Sequence, residues 1–258
     1  MRTLRPSPLP RTQHSVCCIC GTTGNYPRLV SGSGPLPPSG GLLGLLDPQD
    51  RADLIRLGRR RRYGRRAPIM LAGDDSDSVV VVLAGRVKVT VSTADGHEVL
   101  LAVDGPGDAI GYFEALEGAV GPRLATVTAL EPVDCQVLTG DEFRSFVDAH
   151  PTVATVLLRW VIRRLWTSDH RRIEFGSLDV SHRLARYFLE LADRPSGPEA
   201  GSIDVDIPLT QDELASLISA SRDSVVRALT TLRTKGLVAT ARRRISITDL
   251  DGLRRYAG

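Results

Sequence analysis

The segment from Thr210 to Gly236 constrains the fold more than any other part of this sequence of 258 residues. Apolar residues recur there at helical spacing on both sides of a short polar break, which predicts two short helices joined by a tight turn. The residues predicted to face inward are Leu214, Ala215, Leu217 and Ile218 on the first helix and Val225, Ala228, Leu229 and Leu232 on the second. This pattern is typical of a helix-turn-helix.

The second predicted helix carries its polar residues on the face opposite its apolar stripe. At about 100° per residue, Asp223, Val226, Arg227 and Thr230 centre on that face, with Arg222 at its edge. In the DNA major groove an arginine can donate to guanine O6 and N7, and an aspartate can accept from the cytosine N4 amino group. The alternative is a solvated charged face on an ordinary helical hairpin.

The residues after the hairpin favour DNA binding. Gly236 is suited to end the second helix, and residues 237–240 and 244–248 alternate like two short strands. Arg242 and Arg243 then lie at or beside a hairpin tip, where they can contact phosphates, as in a winged helix. The predicted DNA-binding residues are Thr210, Gln211, Ser221, Arg222, Asp223, Val226, Arg227, Arg242 and Arg243.

Composition and charge placement disfavour several classes of protein. The formal net charge of +3 does not by itself indicate nucleic acid. The arginines at 59–62, 65 and 66 could form a nucleic-acid patch, but we favour a solvated helix end and strand edge. No apolar run reaches the about eighteen residues of a membrane helix, and no secretory signal occurs, so we expect a soluble cytoplasmic protein without a membrane partner. The histidines are scattered and no nucleophile–base pair or phosphate-binding loop occurs, which disfavours an enzyme.

The cysteines raise one alternative function, a redox or metal sensor. Cys17, Cys18 and Cys20 crowd the N-terminal region, whereas Cys135 is alone. Three thiolates could bind zinc or an iron–sulfur cluster, but adjacent cysteines reach one metal with difficulty and no histidine pair completes the set, so we expect no metal site. Cys135 lies in an alternating strand pattern and is predicted to be a small core residue.

Composition and periodicity divide the chain into four segments, and together they predict an α+β fold. Residues 1–40, rich in Pro, Gly, Ser and Arg, are expected to be a disordered tail. Residues 41–150 begin with a short helix capped by Asp47 and continue as short strands between Gly and Asp turns, which indicates an antiparallel β-roll. A long helix over 151–177 precedes the winged helix-turn-helix of 178–258.

The long helix carries a coiled-coil seam with alternating steps of three and four residues. The seam positions are Leu158, Val161, Leu165, Ser168, Arg172 and Phe175. We expect the helix to pair two copies of the chain, because two-fold symmetry matches a palindromic operator; packing within one chain is the alternative. Trp160 and Trp166 lie off the seam and are expected to pack against the β-roll.

An antiparallel roll, a long dimerisation helix and a winged helix, in this order, resemble the CRP/FNR superfamily of bacterial transcription regulators. The similarity covers roughly residues 41–249. Its most specific matches are Gly73-Asp through Val82-Leu-x-Gly-x-Val-Lys, the Pro106-Gly-Asp turn, Arg163-Arg-Leu, Leu178-Asp-Val and Ser221-Arg-x-x-Val-x-Arg. In cyclic-AMP-receptor-like members the recognition helix reads Arg-Glu-x-x-x-Arg, and Arg222, Asp223 and Arg227 hold those places. The resemblance implies a homodimer bound to double-stranded DNA, with RNA polymerase as a further partner. Ser219 stands where many such motifs have Gly, which costs up to ~1 kcal/mol if the backbone φ is positive.

The resemblance also implies a degenerate effector site in the roll. Family members that bind cyclic nucleotides use Gly-Glu near the start of a phosphate cassette and Arg-Ser at its end. Here Gly111 is followed by Tyr112, and Arg123 by Leu124, so only the arginine remains. Each missing hydrogen bond to a buried polar ligand costs roughly 1–3 kcal/mol.

Three further residues complete the candidate effector site. Glu114 could replace the missing carboxylate, and Ser168 and Asp169 occupy the positions on the long helix that contact the base in nucleotide-binding relatives. Three ligand states stay open from the sequence: cyclic AMP, another small anionic ligand, or none, the last making the protein a ligand-independent regulator.

Overall fold

A β-roll, a long helix and a winged helix-turn-helix follow one another along the chain. The computed structural model describes residues 41–118, 121–193, 208–241 and 244–258. The helices are α1 Leu42–Leu45, α2 Pro48–Arg56, α3 Tyr112–Glu117, α4 Gly140–Ala149, α5 Pro151–Ser177, α6 Val180–Ala192, α7 Gln211–Leu217, α8 Arg222–Thr234 and α9 Leu250–Ala257. The strands are β1 Arg59–Tyr63, β2 Pro68–Met70, β3 Val79–Ala84, β4 Val87–Ser92, β5 Glu98–Asp104, β6 Ala109–Ile110, β7 Thr126–Ala129, β8 Val133–Leu138, β9 Val238–Ala241 and β10 Arg244–Ile247. The predicted α+β class is confirmed.

The short helix α2 begins where the sequence predicts. The Asp47 carboxylate accepts from the backbone N–H groups of Gln49 at 2.9 Å and Asp50 at 2.8 Å, and Pro48 is the first helical residue. This cap satisfies N–H groups that have no partner within the helix. Leu54 is buried in the same apolar cluster as residues of β3, α4 and α5, so α2 packs against the roll and these two helices.

Two four-stranded antiparallel sheets form the β-roll, in the orders β1-β8-β3-β6 and β2-β7-β4-β5. Residues 79–82 of β3 are all buried, because Val79 and Val81 pack in one apolar cluster while Val80 and Val82, on the opposite face of the strand, pack in another. The β4–β5 hairpin turns at Gly96, whose φ of 82° is readily adopted by glycine. Cys135 on β8 is fully buried, as predicted, and burial raises the pKa of its thiol to about 11.

The arginine-rich segment forms a strand edge, as expected. Residues 59–62 make up most of β1, which lies at the edge of its sheet with its side chains exposed. The Arg60 Nε donates to Asp134 on the neighbouring strand at 2.9 Å. Charged side chains on an exposed edge discourage pairing with another chain.

The first half of α5 packs on the roll. Val153, Leu157 and Trp160 are buried in its first three turns, and the guanidinium of Arg164 binds Asp104 at 3.0 and 3.3 Å, which raises the pKa of Arg164. The prediction that Trp166 also packs on the roll is wrong, since its side chain is 53% exposed. Six residues beyond Trp160, or about 600° of rotation, it points about 120° away from the buried stripe. Within the described ranges no helix is long and apolar enough to cross a bilayer.

The winged helix-turn-helix packs directly on the roll. Leu100 and Val103 of β5 belong to the same buried cluster as the core of α6 to α9. The Leu100 N–H donates to Ser216 Oγ at 2.7 Å, and Lys88 Nζ lies 2.9 Å from Glu213 Oε1. Apolar and polar contacts therefore both hold α7 against the β4–β5 hairpin.

Candidate nucleic-acid interface and effector cassette

The helix α8 presents the surface that the sequence predicts. Ser221 caps it, its hydroxyl accepting from the Ser224 N–H at 3.2 Å. The residues buried against α6 and α7 are Val225, Ala228, Leu229 and Leu232, and those exposed on the outer side include Arg222, Asp223, Val226 and Arg227. A helix with buried apolar and exposed polar sides can enter a DNA groove without losing its core contacts.

The two arginines of this face are held only by weak contacts. Arg227 Nη2 donates to the Ser224 hydroxyl at 3.0 Å. Arg222 Nε lies 3.6 Å from a carboxylate oxygen of Asp212, and both side chains are more than half exposed. Exposed ion pairs contribute about 0–1 kcal/mol, so both guanidinium groups can exchange these partners for a base edge or a phosphate.

The start of α7 is capped and tied to the roll at the same residue. Thr210 Oγ1 accepts from the Glu213 N–H at 3.2 Å, while Glu213 Oε2 accepts from the Thr210 N–H at 2.7 Å, a capping box. Gln211 is the first helical residue and is half-buried. The ion pair from Glu213 to Lys88 spans 125 residues of sequence, so no local pattern could have indicated it.

Arg183 on α6 holds the turn between α7 and α8, a role that the sequence did not suggest. Its Nη1 donates to the carbonyl oxygens of Ile218 at 2.8 Å and Ser219 at 3.3 Å, and its guanidinium lies over the Phe175 ring. Ser219 has a φ of 49°, in the left-handed region. The structure thus confirms that this serine occupies a position suited to glycine.

The β9–β10 hairpin forms the expected wing, with Arg244 paired to Ala241. Arg242 and Arg243 lie outside the described residues, and their contact with phosphate stays a prediction. Cys17, Cys18 and Cys20, with the rest of the predicted tail, also lie outside them. Among the described residues, no group of three or more His, Cys, Asp and Glu is placed to hold a metal ion.

Arg123 lies at the centre of the effector cassette, by which we mean residues 111–124. Its side chain is 2% exposed. Nη1 lies 3.1 Å from Glu114 Oε2 and 3.5 Å from the Gly111 carbonyl oxygen. Nη2 donates to Ser76 Oγ at 3.2 Å and to both the carbonyl and the hydroxyl of Ser78. The guanidinium is therefore neutralised and hydrogen-bonded by its own chain.

The other cassette residues face different surroundings. Tyr112 stacks edge-to-face on Trp160 with ring centroids 4.9 Å apart, and burial raises the pKa of its hydroxyl. Leu124 is 68% exposed. Ser168 and Asp169 are exposed on α5, where Asp169 lies 3.8 Å from Arg172. The structure thus brings Gly111, Glu114 and Arg123 together, with Tyr112 turned toward the core.

The apolar surface left open on α5 differs from the predicted seam. Leu158 and Leu165 are exposed, whereas Val161 packs on the roll cluster and Phe175 is half-buried beneath Arg183. The large apolar side chains exposed along α5 are Leu158, Ile162, Leu165, Trp166 and Ile173. Their pairing with a second copy stays a prediction.

Comparisons with known proteins agree with this architecture. Residues 182–256 match the Crp-like helix-turn-helix domain family, and residues 60–150 match the cyclic nucleotide-binding domain family. The transcriptional regulator LdrP of Thermus thermophilus is 34% identical over 200 residues, covering 77% of this chain and 96% of LdrP. The CRP-like cAMP-activated global transcriptional regulator of Mycobacterium tuberculosis is 29% identical over 212 residues, covering 82% of this chain and 94% of that protein.

A solved structure shows the same fold. FixK2 from Bradyrhizobium japonicum superposes with a TM-score of 0.65 at 20% identity, covering 78% of this chain and 98% of FixK2. The order of roll, long helix and winged helix, the two domain matches and the identity to LdrP agree with one another. This chain belongs to the CRP/FNR family of transcriptional regulators.

Proposed function

We propose that this protein is a homodimer that binds a palindromic DNA operator through α8 and regulates transcription. The observation that carries the proposal is the exposed polar face of α8 over a fully formed core. Arg222 and Arg227 are exposed there, and among the described residues no carboxylate lies within 4 Å of the Arg227 guanidinium. Arginine donors on such a face match guanine O6 and N7.

The proposed dimer rests on the exposed apolar side chains of α5. A stripe containing Leu158, Ile162 and Leu165 is costly to leave in water and marks an association surface. A symmetric pair would place two copies of α8 on half-sites about one helical turn apart. Bound in this way, in the cytoplasm, the dimer would act on transcription through RNA polymerase.

Binding-site selection from random duplexes with the purified full chain tests the DNA assignment. Wild type is expected to select a two-fold symmetric sequence. Arg227→Ala should lose about 10- to 100-fold of the preference at one base pair of each half-site, the discrimination that one bidentate contact provides. Arg233→Ala is the matched control, because Arg233 is an exposed arginine of the same helix, six residues or about 120° around the axis from Arg227.

Two outcomes contradict the proposal. If Arg227→Ala weakens binding to selected and random duplexes equally, Arg227 contacts phosphate and does not read a base. If wild type sediments as a monomer at the concentrations where it binds DNA, the two-fold operator model is wrong.

A further inference from the structure

A cyclic nucleotide would bring a phosphate charge into the roll, and a buried charge needs a buried partner of opposite sign. Of the arginines and lysines that the structure describes, only Arg123 is buried. It lies within the residues that match the cyclic nucleotide-binding domain family. Arg123 is therefore the cation that a nucleotide phosphate would have to use.

The two Nη groups of Arg123 already donate to atoms of this chain. A guanidinium has five N–H donors; the two Nη atoms carry four of them, and both bond to groups of this chain. Glu114 provides the negative charge at 3.1 Å with its own side chain only 15% exposed. Nε is the one nitrogen of this group without a partner among the described residues. A phosphate could bind Arg123 only by displacing Glu114 and leaving a carboxylate without its cation.

The cassette also lacks space beside the guanidinium. Gly111 has a φ of 79°, and a methyl group built on its Cα would lie 2.6 Å from Arg123 Nη1. Even this small group would collide, because the guanidinium packs directly on the Gly111 backbone. Leu124 at the end of the cassette offers no side-chain donor and points to solvent.

We propose that Glu114 occupies the position of a ligand phosphate, so that the effector cassette is closed by the protein's own carboxylate and takes no cyclic nucleotide. Glu114 is a positioning residue, because its carboxylate holds the guanidinium of Arg123 where a bound anion would otherwise hold it. Arg123 in turn bonds Ser76, Ser78 and the Gly111 carbonyl and so keeps these residues in place. The consequence that operator binding needs no effector rests on the proposed function; the closure itself does not.

Thermal unfolding of the full chain with cyclic AMP, and separately with inorganic phosphate, tests the closure. A ligand present at about 100 times its Kd raises the melting temperature by several degrees. Wild type is expected to shift by less than about 1 °C with either probe at about 1 mM. Glu114→Gln keeps the size of the side chain but removes its charge, and is expected to gain stability with both probes.

Two further variants complete the design. Glu117→Gln is the matched control, an exposed glutamate at the end of the same helix, and should behave as wild type. Leu124→Ser restores a hydroxyl donor but keeps Glu114, and should still show no shift. Because Leu124 is exposed, Leu124→Ser is expected to fold, and its melting temperature with cyclic AMP tests the closure even if Glu114→Gln does not fold.

A shift of several degrees with cyclic AMP in wild type or in Leu124→Ser overturns the proposal. So does a folded Glu114→Gln variant that gains nothing from either probe. Operator selection by wild type is a separate measurement. A protein that selects no operator would not contradict the closure of the cassette, and a cassette that binds cyclic AMP would not contradict DNA binding.

Discussion

The effector cassette and the recognition helix each contain an arginine that the sequence predicts to contact a ligand, but the two arginines differ in burial and in pairing. Arg123 is buried, neutralised by Glu114 and hydrogen-bonded to Ser76 and Ser78. Arg227 is exposed and bonds one hydroxyl of the same helix. An arginine in a matching position therefore does not by itself mark a binding site; what matters is whether its charge is still available.

This contrast has an energetic basis. A buried guanidinium costs several kcal/mol to desolvate and must recover that cost from fixed partners, which the cassette supplies from its own residues. The exposed arginine keeps its hydration until DNA replaces the water. Arg123 is consequently part of the fold, whereas Arg227 is available to bind DNA.

The largest change in the free energy of unfolding is expected from Arg123→Ala. Glu114 would be left buried without its cation, so the free energy of unfolding should fall by about 3–5 kcal/mol. Urea denaturation followed by circular dichroism measures this. Arg123→Ala combined with Glu114→Ala should recover much of the loss, because the double variant leaves no unpaired charge. A loss below about 1 kcal/mol for the single variant would show that the pair is not structural.

Arg227→Lys tests whether the exposed arginine of the recognition helix reads a base. Lysine keeps the charge but lacks the planar pair of donors, so the preference for the selected operator should fall by about 1–2 kcal/mol. The free energy of unfolding should change by less than about 0.5 kcal/mol, as for other surface substitutions. Fluorescence anisotropy over a salt series is the measurement, with an unchanged salt slope expected because the charge remains. An unaltered operator preference contradicts the base-reading assignment.

Ser219→Gly should stabilise the protein without altering what it recognises. The left-handed φ of 49° at this serine costs about 1–2 kcal/mol for a residue with a Cβ, and glycine relieves this at some loss of chain entropy. The expected net gain is about 0.5–1 kcal/mol. Ala220→Gly is the control: Ala220 is not among the described non-glycine residues of positive φ, and glycine there should destabilise. A melting temperature that falls for Ser219→Gly would contradict this account of the turn.

The smallest effect on stability is expected from the ion pair between Lys88 of the roll and Glu213 of the helix-turn-helix. Burial, the largest single influence, raises the pKa of Glu213, but the hydrogen bonds from Thr210 and the contact with Lys88 together lower it below its usual 4.5. A lowered folded-state pKa means that the pair stabilises the protein above the unfolded value and that this contribution is lost as the pH falls through the folded value. Wild type should lose about 0.5–1 kcal/mol more than Lys88→Met between pH 6 and pH 3, measured by urea denaturation. Lys88 also pairs with Glu98 at 2.8 Å, so Lys88→Met removes both ion pairs, and parallel losses in the two proteins would exclude both as contributors.

The sequence predicts the buried face of α8 well and the contacts of the effector cassette poorly, because the first depends on neighbouring residues and the second on residues far apart in the chain. The buried residues of α8 follow from contacts three or four residues apart. Arg123 instead meets Ser76 and Ser78 across 47 and 45 residues. No periodicity reports such a contact, so the sequence could show that cassette residues were missing but not that Glu114 had closed the site.

The register of α5 was the other part that sequence reasoning could not settle. A seam of three-four steps leaves several rotations of one helix open, and only the contact with the roll selects among them. Burial of Trp160 and the ion pair from Arg164 to Asp104 fix that rotation. The open stripe consequently includes Ile162, Trp166 and Ile173 in place of Val161 and Phe175.

The most direct test of the central claim, that the recognition helix is open and the effector cassette is closed, is operator affinity measured as cyclic AMP is added. Fluorescence anisotropy of the selected duplex with purified wild type gives the Kd without and with about 1 mM nucleotide. The account predicts that the Kd for the operator is the same with and without cyclic AMP within about twofold, because a nucleotide that does not bind the cassette cannot change the affinity for DNA. A Kd that tightens by about tenfold or more would contradict it.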